Sequence, residues 1–148
     1  MPRMGEHEYP GSAALLSDEF ELLAGDVLTY GITASQAYNM VNKHSSVADG
    51  DSAARRFYLA AGTYNLSVLG RTFTTSGLVD WYIDGVKVVS LQDWYDNPGA
   101  YNVVKTASVV VPTSGRHVLK YVVNGKNGAS SSYTFLWTKC WFSVSGVG

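Results

Sequence analysis

The chain has 148 residues, of which 46% are hydrophobic and only 16% are charged. This length suits one domain with a well-formed core and is too short for two ordinary domains. The formal net charge of −1 gives no general attraction to nucleic acid or to a membrane surface. Neither nucleic acid nor a membrane is therefore expected as a partner.

Charge is distributed unevenly along the chain. Residues 1–54 carry eight acidic and two basic side chains, a net −6, whereas residues 55–148 carry four acidic and nine basic ones, a net +5. Two alternatives stay open: the two parts pack together within one monomer, or the acidic part crosses onto a neighbouring copy, as complementary surfaces do in symmetric oligomers. The basic side chains are spread over predicted strands and turns, without the cluster of cations and exposed aromatics that marks nucleic-acid binding.

The N-terminal third has a weak secondary-structure pattern. Residues 1–14 contain proline and glycine with little periodicity, and they are predicted to form an extended arm. Two short apolar runs, at 20–23 and 27–30, are predicted to be strands. Residues 34–41 are ambiguous between a strand and a helical turn, and residues 43–52 are predicted to form a polar loop.

The strand pattern is stronger from residue 56 onward. The dipeptide Asp84-Gly85 predicts a two-residue hairpin because both turn positions need positive φ. Turn signals recur roughly every 8–12 residues, the spacing of a sandwich or barrel. The sequence therefore predicts an all-β jelly-roll β-sandwich over residues 15–148, behind the arm. The predicted strands are 56–59, 63–74, 79–83, 86–91, 105–111, 116–123 and 133–144, with a long loop over 92–104.

The last predicted strand is apolar on both faces. Such a strand must lie centrally or be covered by another subunit, because neither face suits water. Cys140, the one cysteine of the chain, lies in this strand and is expected to be a buried, unreactive thiol. Strict alternation places Tyr133, Phe135, Trp137 and Trp141 on one face, and Leu136, Cys140, Phe142 and Val144 on the other.

Motifs for catalysis and for metal binding are missing from the sequence. His7, His44 and His117 form no pair with the spacing of metal ligands. There is no nucleophile elbow and no phosphate-binding glycine loop. Asp49-Gly50-Asp51 offers oxygens that suit Ca²⁺ but lacks the fuller ligand pattern, so a solvated turn is expected. The chain is predicted not to be an enzyme and to use no metal and no cofactor.

The tripeptide Asp-Trp-Tyr occurs twice, and its second copy is the candidate binding site. Trp81 of the first copy lies in a predicted strand and is expected in the core. Trp94 and Tyr95 of the second copy lie in a predicted loop beside Asp93 and Asp96. Aromatic rings flanked by polar groups would form a platform for stacking a sugar. A loop cover or a subunit contact is the alternative.

Four stretches of the chain resemble a known kind of domain. Their order is an Ala-Gly-Thr-Tyr strand, an Asp-Gly hairpin and a Ser-Gly-Arg-His strand. This order resembles the jelly-roll domains of carbohydrate-binding modules, and even more those of tailed-bacteriophage structural proteins such as capsid decoration proteins, head fibres and tail-fibre tips. The resemblance covers about residues 55–142, through the stretches Arg56–Tyr64, Val79–Val86, Tyr101–Lys105 and Ser114–Lys120.

The resemblance implies a phage virion structural protein of the decoration or fibre type, which acts by self-assembly and surface attachment. Other virion proteins and a host surface glycan would then be partners. A chain with few charges and many aromatics is prone to associate, so a homotrimer is expected. The polar first residues lack the apolar segment of a signal peptide, which predicts synthesis in the host bacterial cytoplasm and location in the virion. The alternative prediction is a carbohydrate-binding module that recognises cell-surface glycans.

Overall fold

The computed structural model describes residues 14–24, 29–32, 39–42 and 49–144. These residues form strands joined by turns and a single short 3₁₀ turn, Ser17–Glu19, and none of them lies in a helix long and apolar enough to cross a membrane. The strands are β1 (Ala14–Leu16), β2 (Glu21–Ala24), β3 (Thr29–Ile32), β4 (Asn39–Asn42), β5 (Ser52–Leu59), β6 (Gly62–Thr72), β7 (Leu78–Ile83), β8 (Val86–Asp93), β9 (Ala100–Val111), β10 (Gly115–Val123) and β11 (Leu136–Val144).

The strands form two antiparallel sheets that make a β-sandwich. The six-stranded sheet has the order β3-β4-β11-β6-β9, and β1 also pairs with β11. The five-stranded sheet has the order β2-β5-β10-β7-β8. Alternate residues of each strand point to the other sheet, as the period of a strand requires. The predicted all-β jelly-roll sandwich is confirmed.

Aromatic rings fill the centre of the sandwich. Trp81 and Tyr121 from the five-stranded sheet meet Trp137 from the six-stranded sheet, with ring centroids 5.4–5.5 Å apart. Phe135 lies 5.7 Å from Trp137 and stacks on it. All four rings are fully buried, and edge-to-face and stacked pairs add to the stability that burial gives. The prediction that Trp81 lies in the core is confirmed.

The predicted hairpin joins β7 to β8. Asp84 and Gly85 have φ values of 51° and 81°, as the expected turn requires. Asp84 also ties the hairpin to β10, since its Oδ1 accepts the Val118 N–H at 2.8 Å and its Oδ2 lies 2.6 Å from His117 Nδ1. Burial would raise the pKa of Asp84, but the His117 and Val118 contacts outweigh it and lower that pKa.

The strand β11 lies in the interior of its sheet, between β6 on one side and β1 and β4 on the other. The expectation of a central last strand is thereby met. Cys140 is fully buried, and burial raises the pKa of its thiol.

The predicted division of β11 into two faces is wrong. A register shift between Trp137 and Lys139 inserts a residue, so Trp137, Cys140 and Phe142 all point into the core, while Trp141 is half-buried on the other face.

Several predicted boundaries also move. The loop predicted over 92–104 is shorter, because β8 runs to Asp93 and β9 begins at Ala100. Within the ambiguous segment, Asn39–Asn42 is a strand. Asp51, expected in a solvated turn, is buried, whereas Asp49 is exposed. The predicted arm lies outside the described residues except for Ala14, which pairs with Trp141.

The described connections gather at the two ends of the sandwich. The turn end holds 60–61, 84–85 and 112–114, which are short. The loop end holds 49–51, 73–77, 94–99 and 124–135. Backbone hydrogen bonds join the loops of the loop end: the Gly77 N–H donates to Thr134 O at 2.9 Å, and the Trp94 N–H donates to Gly77 O at 3.3 Å. The loop end is therefore one connected surface, although its parts are distant in sequence.

Candidate functional site

Trp94, the first of the predicted binding residues, lies in the core. Its side chain is fully buried, and its ring centroid is 5.5 Å from that of Phe135. Its indole N–H donates to Gln92 Oε1 at 3.0 Å, and the same oxygen accepts the indole N–H of Trp81 at 3.0 Å. The prediction that Trp94 is exposed and stacks on a sugar is wrong, since no ring face is open. The packing alternative describes this side chain.

The other three predicted residues remain at the surface of the loop end. Tyr95 is half-buried and Asp96 is exposed. Asp93 is used within the protein: its Oδ1 accepts the Tyr95 N–H at 2.9 Å, and its Oδ2 accepts the Asn127 amide at 2.8 Å. Asp93 therefore holds the 94–99 loop in place and connects it to the 124–135 loop. Their role in binding a ligand stays a prediction.

Arg71 brings two further aromatic rings to the same end. Its guanidinium carbon lies 4.0 Å from the ring centroid of Phe73 and 4.4 Å from that of Tyr101. A guanidinium over aromatic faces is attracted to both rings and becomes rigid. We name the surface formed by Arg71, Phe73, Tyr95, Asp96 and Tyr101 the loop rim. All of its members except the exposed Asp96 are half-buried.

Backbone contacts hold the loop rim together. Phe73 and Tyr95 form a parallel bridge, and the Asp96 N–H donates to Phe73 O at 3.1 Å. Gly99 has a φ of 96° and approaches β6 so closely that a Cβ there would lie 2.3 Å from Thr72 O. Only glycine fits this position. The 94–99 loop is thus fixed against the end of β6, which presents Tyr95 beside Phe73.

Sequence reasoning missed Arg71, Phe73 and Tyr101 as members of this surface. Tyr101 lies about thirty residues after Arg71 and Phe73 along the chain and meets them only because β6 pairs with β9. The pairing of these two strands is long-range, and neither residue type nor local spacing signals it.

A second feature of the loop end is a shallow cleft of about 370 Å³. The carboxylate of Asp80 at this cleft is almost fully buried. It accepts the Leu91 N–H at 2.6 Å and the Asn124 amide at 2.8 Å, and it lies 3.1 Å from Lys87 Nζ. Burial alone would raise the pKa of Asp80, but these donors outweigh it and lower that pKa. The cleft is lined by Asp49, Gly50, Asp80, Tyr82, Val122, Val123 and Asn124.

The fold is shared with solved carbohydrate-related proteins. A Paenibacillus xanthan lyase matches at a TM-score of 0.74 and 19% identity over 94% of this chain, which corresponds to 14% of the lyase. A carbohydrate-binding module, CBM36 in complex with calcium and xylotriose, matches at 0.60 and 21% identity over 88% of this chain and 99% of the module. A CBM35 from Paenibacillus barcinonensis matches at 0.59 and 15% identity, covering 90% of this chain and all of the module.

These likenesses establish the fold alone, since every identity is low. No protein-family model matches the chain, and no curated protein matches its sequence. The solved neighbours share the jelly-roll sandwich that the predicted resemblance to carbohydrate-binding modules implies, and some of them are parts of enzymes. Nothing among them points to a phage protein. The virion location and the homotrimer stay predictions.

The calcium of the CBM36 complex has no counterpart in the residues described for this chain. Those residues contain no group of three or more His, Cys, Asp or Glu side chains placed to hold a metal ion. Calcium needs six to eight oxygen ligands, and the carboxylates of Asp80 and Asp93 already accept hydrogen bonds from the protein. The described residues therefore do not fit a calcium site, and none enters the function proposed below.

Proposed function

We propose that the chain is a carbohydrate-binding module whose loop rim binds sugars. The observation that carries the proposal is the Arg71 clamp: a rigid guanidinium between Phe73 and Tyr101 at the end of a sandwich shared with carbohydrate-binding modules. Aromatic side chains offer apolar area to the faces of a sugar ring, while a guanidinium and a carboxylate offer hydrogen bonds to its hydroxyls.

Rigidity of the loop rim supports the same proposal. Side chains that are fixed before binding lose little conformational entropy when a ligand arrives. Arg71 is held between two rings, and Tyr95 is positioned by the Asp93 carboxylate and by the bridge to Phe73. Asp96 is exposed, and its Oδ1 accepts the N–H of the adjacent Asn97 at 2.9 Å. The exposed part of its carboxylate faces solvent, where a sugar hydroxyl would meet it.

The choice of test ligands follows from the similar structures. The CBM36 structure contains xylotriose. Two larger proteins carry a similar fold over part of their own chains: an exo-β-1,3-galactanase with β-1,3-galactotriose and a GH26-CBM35 β-(1,4)-mannanase. We propose that a neutral β-linked polysaccharide of this kind binds at the loop rim. Xylan, β-1,3-galactan and β-1,4-mannan are suitable probes.

Replacing Tyr95 by alanine tests the proposal directly. We expect Tyr95→Ala to weaken binding of the polysaccharide that the unmodified chain binds by about tenfold, because the ring loses its stacking contact. Affinity gel electrophoresis ranks the three polysaccharides, and titration calorimetry then measures the affinity. Val110→Ala is the matched control, because Val110 is 61% exposed and lies near the far end of β9.

Three results would overturn the assignment. The first is that the chain binds none of the three polysaccharides. The second is that Tyr95→Ala binds as well as the unmodified chain, and the third is that Val110→Ala loses as much affinity as Tyr95→Ala. Circular dichroism of each variant shows whether the sandwich is still folded. A loss of affinity counts only in a folded variant.

A further inference from the structure

The outer face of the five-stranded sheet carries a concentration of positive charge. Along β10, the residues His117, Leu119 and Tyr121 are buried, so Arg116 and Lys120 point to the outside. Their neighbours across the sheet point the same way: β5 and β7 pair with β10, and β8 pairs with β7. We name the surface formed by Arg56, Tyr58, Tyr82, Lys87, Arg116 and Lys120 the basic face.

Each tyrosine of the basic face has cations beside it. Tyr58 is 42% exposed, and its hydroxyl accepts the Arg116 guanidinium at 2.7 Å. The ring centroid of Tyr82 lies 4.8 Å from Lys120 Nζ and 5.8 Å from Lys87 Nζ. The two rings lie on opposite sides of β10, opposite Arg116 and Lys120 respectively. Strand spacing therefore separates them by roughly 16 Å, a span that several linked sugars would cover.

Among the described residues, three acidic side chains lie in or beside the basic face, and one of them is Asp84, whose carboxylate accepts the Val118 N–H at 2.8 Å and contacts His117. Lys87 pairs with the buried Asp80 at 3.1 Å, and Glu21 lies at the edge of the sheet, opposite Ala54. Arg56 and Lys120 form no ion pair with any other residue that the structure describes. At two positions the basic face thus presents charge that has no ion-pair partner among the described residues, beside the exposed ring of Tyr58 and the half-buried ring of Tyr82.

We propose that the basic face binds an acidic polysaccharide, a chain of sugars that carry carboxylate groups, laid across β10. This inference rests on the proposed carbohydrate-binding function and adds a second surface to it. Arginine and lysine complement carboxylates, arginine with two parallel hydrogen bonds. The tyrosine rings and the apolar Val118, which is 40% exposed between Arg116 and Lys120, offer the flat apolar area that a sugar ring covers.

The shape of the surface favours a polymer over a small ligand. The outer face of a sheet is open along its length, so a chain can extend beyond the residues it contacts. Tyr82 also lines the shallow cleft at the loop end, together with Asn124. Because the carboxylates of Asp49 and Asp80 line the same cleft, the acidic chain is expected to lie along β10 and to stop short of the cleft.

The test uses the full chain and a double variant. Arg56→Ala/Lys120→Ala removes the two cations that have no described ion-pair partner, so the fold is expected to persist. The control, Lys105→Ala/Lys139→Ala, removes the same amount of charge from the six-stranded sheet. Polygalacturonate and alginate are the acidic probes, and highly methyl-esterified pectin is the neutral probe, because it keeps the galacturonate backbone while masking the charge.

We expect the unmodified chain to bind at least one of the acidic polymers but not the esterified pectin, with an affinity that falls as salt is added. The double variant on the basic face should bind about tenfold more weakly, and the control variant should bind as the unmodified chain does. Binding of neither acidic polymer, or equal losses in the two double variants, would overturn the proposal.

Two additional probes and a measurement of self-association identify other occupants. Equal binding of dextran sulfate would assign the basic face to polyanions in general, and tighter binding of a single-stranded oligonucleotide would assign it to nucleic acid. Self-association that the Arg56→Ala/Lys120→Ala variant abolishes would assign it to a second copy of the chain. Each of these results would overturn the preference for carboxylate-bearing sugars.

The Tyr95→Ala variant separates this inference from the proposed function. If neutral polysaccharide binding is lost in Tyr95→Ala while no acidic polymer binds, the basic-face inference fails and the loop-rim proposal stands. If an acidic polymer binds through Arg56 and Lys120 while no neutral polysaccharide binds, the loop-rim proposal fails alone.

Discussion

Gly99 is the residue on which the position of the loop rim depends most directly. Its φ of 96° belongs to the region that favours glycine, and a Cβ would lie 2.3 Å from Thr72 O and 2.9 Å from the Phe73 Cα. Both of these neighbours are backbone atoms and cannot move aside without displacing the end of β6. Backbone conformation and steric contact therefore select glycine together.

We predict that Gly99→Ala lowers the free energy of unfolding by about 2–4 kcal/mol, the sum of strain at positive φ and of the backbone clash. Urea denaturation followed by tryptophan fluorescence measures this change. Gly85→Ala is the matched control: Gly85 has a φ of 81° but nothing within 4 Å of its added Cβ, so it reports the conformational strain alone. Equal losses in the two variants would contradict a role for the contact with Thr72.

Trp94 shows at the scale of one residue why the candidate site is only partly predictable from the sequence. Its sequence neighbours are polar, and polar neighbours predict a loop. In the structure its ring packs beside Phe135 in the core, and Gln92, two residues earlier, accepts hydrogen bonds from the buried indole N–H groups of both Trp94 and Trp81. That shared acceptor depends on how β7 and β8 are paired, and the sequence gives no local sign of it.

At the scale of elements, the alternation of apolar and polar residues predicts the positions of strands better than it predicts which side chains face the core. The strands β6, β7 and β10 lie close to their predicted limits, and the Asp84-Gly85 hairpin is confirmed. The faces of β11 were predicted wrongly because a bulge changes the parity of every residue beyond it. A bulge depends on the partner strand, so a single strand read alone does not reveal it.

The basic face is a second feature that depends on strand pairing and that the sequence alone does not predict. The sequence shows basic residues scattered over predicted strands and turns, without a cluster. Pairing of β5, β10 and β7 places Arg56, Lys120 and Tyr82 on one face, although they are separated by up to 64 positions in the chain. The expectation that cations and exposed aromatics are not interleaved is therefore wrong for the folded protein.

Asp80, in β7, links this strand to Leu91 in β8 and to Asn124, the residue that follows β10. Its carboxylate accepts hydrogen bonds from Leu91 and Asn124 and pairs with Lys87. Because these donors hold its pKa below the ordinary value of 3.8, the ionised form is favoured by folding. The stability that the ionised Asp80 contributes is fully present when the pH is above 3.8, the ordinary pKa. It is lost as the pH falls through the lower pKa of the folded state.

We predict that Asp80→Asn lowers the free energy of unfolding by about 2–4 kcal/mol at neutral pH, because buried donors lose a charged acceptor. The difference from the unmodified chain should narrow as the pH falls below 3.8. Urea denaturation over a pH series measures both effects. Asp96→Asn, at an exposed carboxylate, is the control and should change stability little; a pH-independent difference for Asp80→Asn would contradict the linkage.

At the scale of the whole molecule, the opposite charges of the two parts of the chain bear on assembly. The described structure places part of the acidic segment, β2, beside β5 in the same sheet, which is the packing expected within a monomer. Much of residues 1–54 lies outside the described ranges, so the crossing of this part onto a neighbouring copy stays a prediction.

The predicted homotrimer has a simple test. Light scattering over a dilution series should give three times the chain mass of 16.0 kDa at every concentration if the trimer is stable. Adding salt should shift the mass downward if opposite charges on neighbouring copies hold the assembly together. A constant mass of one chain would contradict the prediction and would favour a module that acts as a monomer.

The pairing of β11 with β6 determines which end of the domain would lie next to a support. Val144 pairs with Tyr64 near the start of β6, so the last described strand ends near the turn end, whereas Ala14 pairs with Trp141, opposite the middle of β6. A tether joined next to Val144 would therefore hold the turn end inward. The loop rim would then face outward, free to meet a polysaccharide, with the basic face running along the side from the anchor to the tip.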